Sequence, residues 1–200
     1  MIDVLNSPFG LLVAGSILGG LGYVARHGWK EFMDRRGQRQ ARDVTEAQSA
    51  IYTTLARLQG ATSADRVLIL NTQNGGGIPR ADGPTFSSVL YEETAPNVPP
   101  VQGDWQKEQL DSQYAHLINE VVQNGAWEGP PERLTPEAGK LFDAYKAMNV
   151  VYSYVVLVKL TSGKVYYLSV TWRQEHAPTK TTPTIRNAVR AAVTEIREQL

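Results

Sequence analysis

The chain has 200 residues, 42% of them hydrophobic and 20% charged, with twenty basic residues balancing twenty acidic ones. That length suits one domain of ordinary size plus an appendage, and zero net charge supplies no bulk field toward nucleic acid. Without cysteine, disulfides, zinc-thiolate sites and cysteine nucleophiles are excluded.

From Val4 to Ala25 the chain carries 22 uncharged residues, VLNSPFGLLVAGSILGGLGYVA. As a helix such a segment spans about 33 Å, close to the thickness of a bilayer core. Five glycines within it would each weaken a helix in water by about 1 kcal/mol. Gly15 with Gly19, and Ser16 with Gly20, place small residues on one face, the pattern that lets helices approach closely. Three roles stay open. The first is a membrane-spanning anchor. The second is a secretory signal peptide, although the basic start of one is missing. The third is a helix buried in a protein assembly such as a virion.

Arg26, Lys30, Arg35 and Arg36 follow directly, and the excess of basic charge marks the cytoplasmic side of a spanning helix. A single-pass protein is therefore expected, with its N-terminus outside and residues 26–200 cytoplasmic. Those four basic residues are candidate contacts to anionic lipid heads, at about 1 kcal/mol each. The domain reading is an anchor helix at 1–27, a basic juxtamembrane connector at 28–44 and an α/β domain at 45–200.

Residues 30–60 read as helix, with Gly37 a candidate break, Thr45 a candidate cap, and Ile51, Leu55 and Leu58 at helical spacing before Gly60. RVLILNT, 66–72, reads as a strand, and TFSSVLYEE, 85–93, as a second. The stretch 94–105 contains Pro99-Pro100 and is expected to be extended. Residues 106–123 form a predicted helix with Leu110, Tyr114, Leu117, Ile118 and Val121 on one face. Residues 124–133 read as a loop. Thr135 and Pro136 open a further helix running to Met148. VVYSYVVLVKL and KVYYLSVTW flank TSGK as a hairpin, the first run apolar on both faces and so central in a sheet. A last helix starts at Thr182 or Thr184 and carries one apolar stripe from Ile185 to Leu200.

This order, with RVLILNTQNGG as first strand and turn, resembles a GAF domain, the PAS-related sensor fold. The resemblance covers roughly residues 45–200. It implies an α+β domain with a central antiparallel sheet flanked by helices, the terminal helices paired on one face, here preceded by the apolar transmembrane-type helix. With no cysteine, covalent attachment of a bilin is excluded, and no cyclic-nucleotide signature is present.

The glycines at 75–77 are followed by Ile78, Pro79 and Arg80, not by the lysine and hydroxyl of a phosphate loop, and the next element is a strand. The segment reads as a β-to-β connection. Its Arg80 and Asp82 are candidate ligand contacts, or pair with each other. Glu92 and Glu93 are adjacent and point to opposite faces of a strand, which does not suit a paired acid and base. Ser87 and Ser88 have no histidine near in sequence. His27, His116 and His176 form no metal-binding spacing. No catalytic residue, metal or cofactor is expected. Tyr91, Trp105 and Trp127 are candidate lining of a ligand pocket between sheet and cover, with ordinary core packing as the plain alternative. Few basic residues lie among the aromatics, so nucleic acid is not an expected partner.

These features lead to a membrane-anchored, non-catalytic GAF-like domain that senses a small molecule or mediates assembly, as a homo-oligomer or within a larger complex. The alternative is a structural or membrane-active part of a virus or phage that uses the domain as scaffold.

Overall fold

A computed structural model describes residues 8–73, 85–134, 139–161, 163–173 and 177–200, with the side chains of 8–28 and of residue 31 outside the description. The chain falls into two units, Met1–Ala47 and Gln48–Leu200. Helix α1, Pro8–Thr62, supplies the first and opens the second. Within the first unit Trp29, Phe32, Met33 and Val44 are exposed. Lys30, Arg35 and Arg36 are exposed as well, and Arg42 pairs with Glu46 one turn on, at 2.7 Å.

Among the described residues no helix is long and apolar enough to cross a membrane. The side chains of segment 4–25, its small-residue face at Gly15, Ser16, Gly19 and Gly20, and the Arg26 side chain lie outside them. Gly37 does not interrupt α1, and nothing lies within 4 Å of where its Cβ would be. Thr45 is not a cap: its hydroxyl donates back to the Ala41 carbonyl at 2.8 Å, inside the helix. The helix passes Gly60 and ends at Thr62, because Ser63 takes the left-handed turn (φ 49°) expected of a terminating glycine.

The second unit is built on one antiparallel sheet. Its strands are β1 (Arg66–Gln73), β2 (Phe86–Thr94), β3 (Glu108–Gln109), β4 (Ala126–Gly129), β5 (Val150–Thr161) and β6 (Lys164–Arg173), in the order β3-β2-β1-β6-β5-β4. Strand β1 lies at the centre, which its nearly continuous apolar run requires, since both faces are covered. Strands β1 and β2 pair from Arg66 opposite Thr94 to Gln73 opposite Phe86, so 74–85 joins neighbouring strands. Residues 74–84, with the three glycines, Arg80 and Asp82, lie outside the described residues. The β5–β6 hairpin closes with Thr161 opposite Lys164, where Gly163 holds φ 76°, a region that favours glycine.

One face of the sheet is covered by α1 from Gln48 onward and by α4 (Pro183–Gln199). Ile51, Leu55 and Leu58 of α1 and Val189, Ala192, Val193 and Ile196 of α4 pack on Val67, Ile69, Leu168, Val170 and Trp172. Each fully buried aliphatic side chain contributes about 1.5–3 kcal/mol. Thr182 is the α4 cap, accepting from the Ile185 N–H, with Pro183 at the first helical position. Glu195 ties the two helices together through the Thr54 hydroxyl at 3.0 Å and the Arg57 guanidinium.

The opposite face is covered by α2 (Ser112–Asn124), α3 (Lys140–Ala147) and the chain between β2 and α2. Three expectations change here. The helix read at 106–123 begins only at Ser112, because Asp111 caps it and Glu108–Gln109 pair with β2 instead. The loop read at 124–133 contains β4, a four-residue edge strand too short to show a period, then a single 3-10 turn at Pro131–Arg133. Helix α3 starts at Lys140; Thr135 and Pro136 lie outside the described residues.

Candidate functional site

The sheet separates one of the three aromatic positions expected to share a pocket from the other two. Tyr91 stands opposite Ile69 and packs on the α1–α4 side, edge-on to Tyr52 at 5.4 Å between ring centroids. Trp105 and Trp127 lie on the other side, in the core beneath α2 and α3. Trp127 is buried on β4 opposite Val155, and only Trp105 of the three borders the cavity there. Alternation fixes this: a strand residue faces one side of the sheet only, and Trp105 is carried by the cover.

The cover is laced to β2. On the outer edge of β2 the Val89 N–H donates to the Trp105 carbonyl at 3.0 Å, next to a bulge in the β1–β2 register between Ile69 and Leu70. The Gln106 amide donates to the Val89 carbonyl at 2.8 Å, and that of Gln102 to the Leu90 carbonyl at 2.7 Å. The Lys107 N–H reaches the Ser88 hydroxyl at 2.9 Å. The Pro-rich stretch is thus a fitted strap over the strand edge, not a free linker.

Beneath the strap lies a buried ion pair that residue spacing did not reveal. The Arg66 Nε sits 3.0 Å from Glu92 Oε1, with side chains 4% and 3% exposed. Glu92 also accepts from the N–H groups of Val101, at 2.8 Å, and Gln102, at 2.6 Å. Arg66 donates to the Pro99 carbonyl at 2.7 Å and approaches the Met148 sulfur at 2.9 Å. Burial pushes the Arg66 guanidinium below its ordinary pKa, and Glu92 opposes that. Strand pairing explains the meeting: Glu92 faces Leu68, so it shares a side of the sheet with Arg66. The one sequence signal was a charged residue at the start of the apolar run of β1.

Further along the same strands, where Ser87 stands opposite Thr72, is a ring of three buried hydroxyls. Ser87 Oγ lies 3.0 Å from the Tyr114 hydroxyl and 2.6 Å from that of Tyr167, and the two phenols bond each other. Three hydroxyls in a cycle can each donate once and accept once. Burial is the main cause that lifts Tyr114 to about 12, and it pushes Tyr167 up as well, with the neighbouring phenol adding to the rise. Tyr145 is also lifted by burial and bonds Ser153 at 3.2 Å. All three phenols are neutral at physiological pH, suited to reading a neutral polar group. The ring comes from β2, α2 and β6, which is why no local motif announced it.

Leu68, Leu70, Trp105, Tyr114, Tyr145 and Tyr167 border an apolar cavity of about 30 Å³. That holds one water-sized group, against the roughly 300–1,000 Å³ of a drug-sized pocket. The buried Trp105 indole N–H has no well-formed hydrogen bond, although it lies close enough to Tyr114 to favour its ionised form. Among the described residues no three acidic or histidine side chains are grouped to hold a metal. His116 is exposed on α2, 3.4 Å from Glu120 and away from this cavity.

The same architecture occurs in solved sensor domains. The PixJ GAF domain of Thermosynechococcus elongatus, in its blue-light absorbing form, matches 78% of this chain and 86% of its own, at TM-score 0.55 and 12% identity. GAF3 from Slr1393 of Synechocystis sp. PCC6803 matches 76% of this chain and 90% of its own, at TM-score 0.53 and 14% identity. The GAF domain of a two-component sensor histidine kinase from Bacillus halodurans matches 76% and 91%, at 0.53 and 9%. The fold is GAF-like. No family model matches the sequence, and no curated protein does. At these identities the likeness establishes the GAF-like architecture alone.

Proposed function

We propose that the GAF-like domain is a non-catalytic sensing module that takes up a small, largely apolar molecule with one neutral polar group beneath the 95–110 strap. The observation that carries this reading is the Ser87–Tyr114–Tyr167 hydroxyl ring, buried under a cover held by specific latches beside the Trp105 indole N–H. The solved domains of this fold include light-absorbing and histidine-kinase sensors, which supports a sensing role. With a cavity of about 30 Å³, uptake of anything larger requires the strap and Trp105 to move. Binding would then be reported outward as a displaced strap.

The test is thermal melting of the full chain with phenol, indole and short ketones as probes. A dose-dependent rise in melting temperature, accompanied by a change in Trp105 emission absent from Trp105→Phe, is expected. Unchanged melting across the panel would remove the reading.

In the same proposal the uncharged segment 4–25 holds the domain at a membrane, with residues 26–200 on the cytoplasmic side. A second reading, assembly with other chains through α1, is favoured by the exposed Trp29, Phe32, Met33 and Val44.

A further inference from the structure

A larger hollow lies at one end of the sheet, outside the tyrosine core. Its volume is about 760 Å³, and its walls come from the C-terminal end of α1, the start of β1, the strap just after β2, the α3–β5 turn and the end of β6. Five separate parts of the second unit converge on it. Three wall residues, Ser63, Asn97 and Asn149, hold left-handed backbone at φ 49°, 68° and 55°. Only four non-glycine residues among those described do so. Ser63 and Asn149 are the left-handed residues that end α1 and α3, so these two helix ends are turned to face the hollow.

The charges here are unusual. Arg173 and Asp65 both line the hollow, and both are half-buried. The Asp65 carboxylate accepts the Arg173 backbone N–H at 2.6 Å through Oδ2. Among the described residues, Asp65 and Arg173 form no side-chain ion pair with each other or with another group. The neighbouring Arg66 is compensated by Glu92, whereas among the described residues Arg173 has no such carboxylate, and it feels the positive charge of Arg66. A half-buried guanidinium of this kind is a donor fork for a carboxylate. Gly60, in the last turn of α1 where the helix dipole favours a cation, also lines the hollow, and Asp65 adds a negative charge. The amides of Asn97 and Asn149 supply neutral donors and acceptors at the rim.

We propose that this hollow is a binding site for a small zwitterion, a free α-amino acid, whose carboxylate meets Arg173 and whose ammonium meets Asp65 and the end of α1. The site is distinct from the cavity under the strap and stands on different residues. It touches the strap at Asn97 and α1 at Gly60, so an occupant bridges the two covers of the sheet.

The test is calorimetric titration of the purified full chain with the free α-amino acids, singly, alongside the matching carboxylic acids without the amine and the matching amines without the acid. At least one amino acid is expected to bind about tenfold or more tightly than both of its one-charge analogues. Arg173→Gln and Asp65→Asn are each expected to weaken it by about ten- to a hundredfold, the loss of one charge-assisted hydrogen bond. Among the described residues the Arg173 guanidinium makes no hydrogen bond, so the unliganded melting temperature of Arg173→Gln should match the parent even if that of Asp65→Asn falls. Trp105→Phe is expected to bind as the parent does, which separates this site from the cavity under the strap. Binding of no amino acid, equal binding of the acids lacking the amine, or parental affinity in Arg173→Gln would each overturn the proposal.

Discussion

At the scale of single residues the strongest constraint on this domain is the Arg66–Glu92 pair. A buried ion pair adds little net stability over an apolar pair, yet losing one partner strands the other charge. Glu92→Gln is therefore expected to destabilise the domain by about 3–5 kcal/mol in urea denaturation. The double change Arg66→Met with Glu92→Leu should recover most of that loss. Whatever loss remains after the double change would measure the latch on the strap, since the Val101 and Gln102 N–H groups would still lack their acceptor. The tyrosines give a second prediction. In the unfolded chain a tyrosine ionises near pH 10, whereas Tyr114 in the fold holds its proton to about pH 12. Between these values the native state binds more protons than the unfolded state, so stability falls as pH rises through that window. For Tyr114 alone the loss is about 3 kcal/mol, with Tyr145 and Tyr167 acting in the same direction. Phenolate absorbance at 295 nm should rise in two phases, the second coinciding with loss of near-ultraviolet circular dichroism. A single phase near pH 10 in the folded chain would contradict the buried ring.

At the scale of elements, Asp111 does more than a usual cap. Its Oδ1 accepts the Tyr114 N–H at 2.8 Å, capping α2, while its Oδ2 accepts the Lys140 N–H at 2.8 Å, at the first residue of α3. Gly139 has no side chain to cap α3 itself, and a Cβ there would sit 2.0 Å from the Gln113 amide oxygen. One carboxylate thus orients both helices that cover the tyrosine core. Asp111→Ala is expected to cost about 2–3 kcal/mol, more than the roughly 1 kcal/mol of a single cap such as Thr182→Ala. Equal costs in chemical denaturation would show that the second bond carries no weight. Elements with a long period were legible in the sequence: the α4 stripe, the β5–β6 hairpin and the central β1 need only local pattern. Strands β3 and β4 were not, because two and four residues cannot display alternation. The polar QKEQ run, 106–109, has good helix propensity, and pairing with Phe86 and Ser87 overrode it.

At the scale of the whole molecule the open matter is where the chain resides. If segment 4–25 anchors it, the full chain stays with membranes after alkaline washing, and a chain beginning at Lys30 is released. Release of both would move the weight to assembly through α1, checked by the mass of the full chain in solution. The exposed Trp29, Phe32 and Met33 suit either outcome, since an interfacial belt and a helix-helix contact both use exposed apolar side chains on a helix.

The sequence alone determined the long elements and the faces they bury, because a 3.6-residue or two-residue period is a local property of the chain. It also determined the absence of thiol chemistry, which is composition. It could not determine which polar residues meet. Arg66 with Glu92, Ser87 with Tyr114 and Tyr167, and Asp65 beside Arg173 are separated by tens of residues, and strand order with register brings each set together. Tyr91 was placed among pocket aromatics by its kind, and only the side of the sheet it faces could remove it. Tertiary structure decided the sites because side-chain encounters across a sheet depend on pairing, and pairing is settled by burial of the entire core.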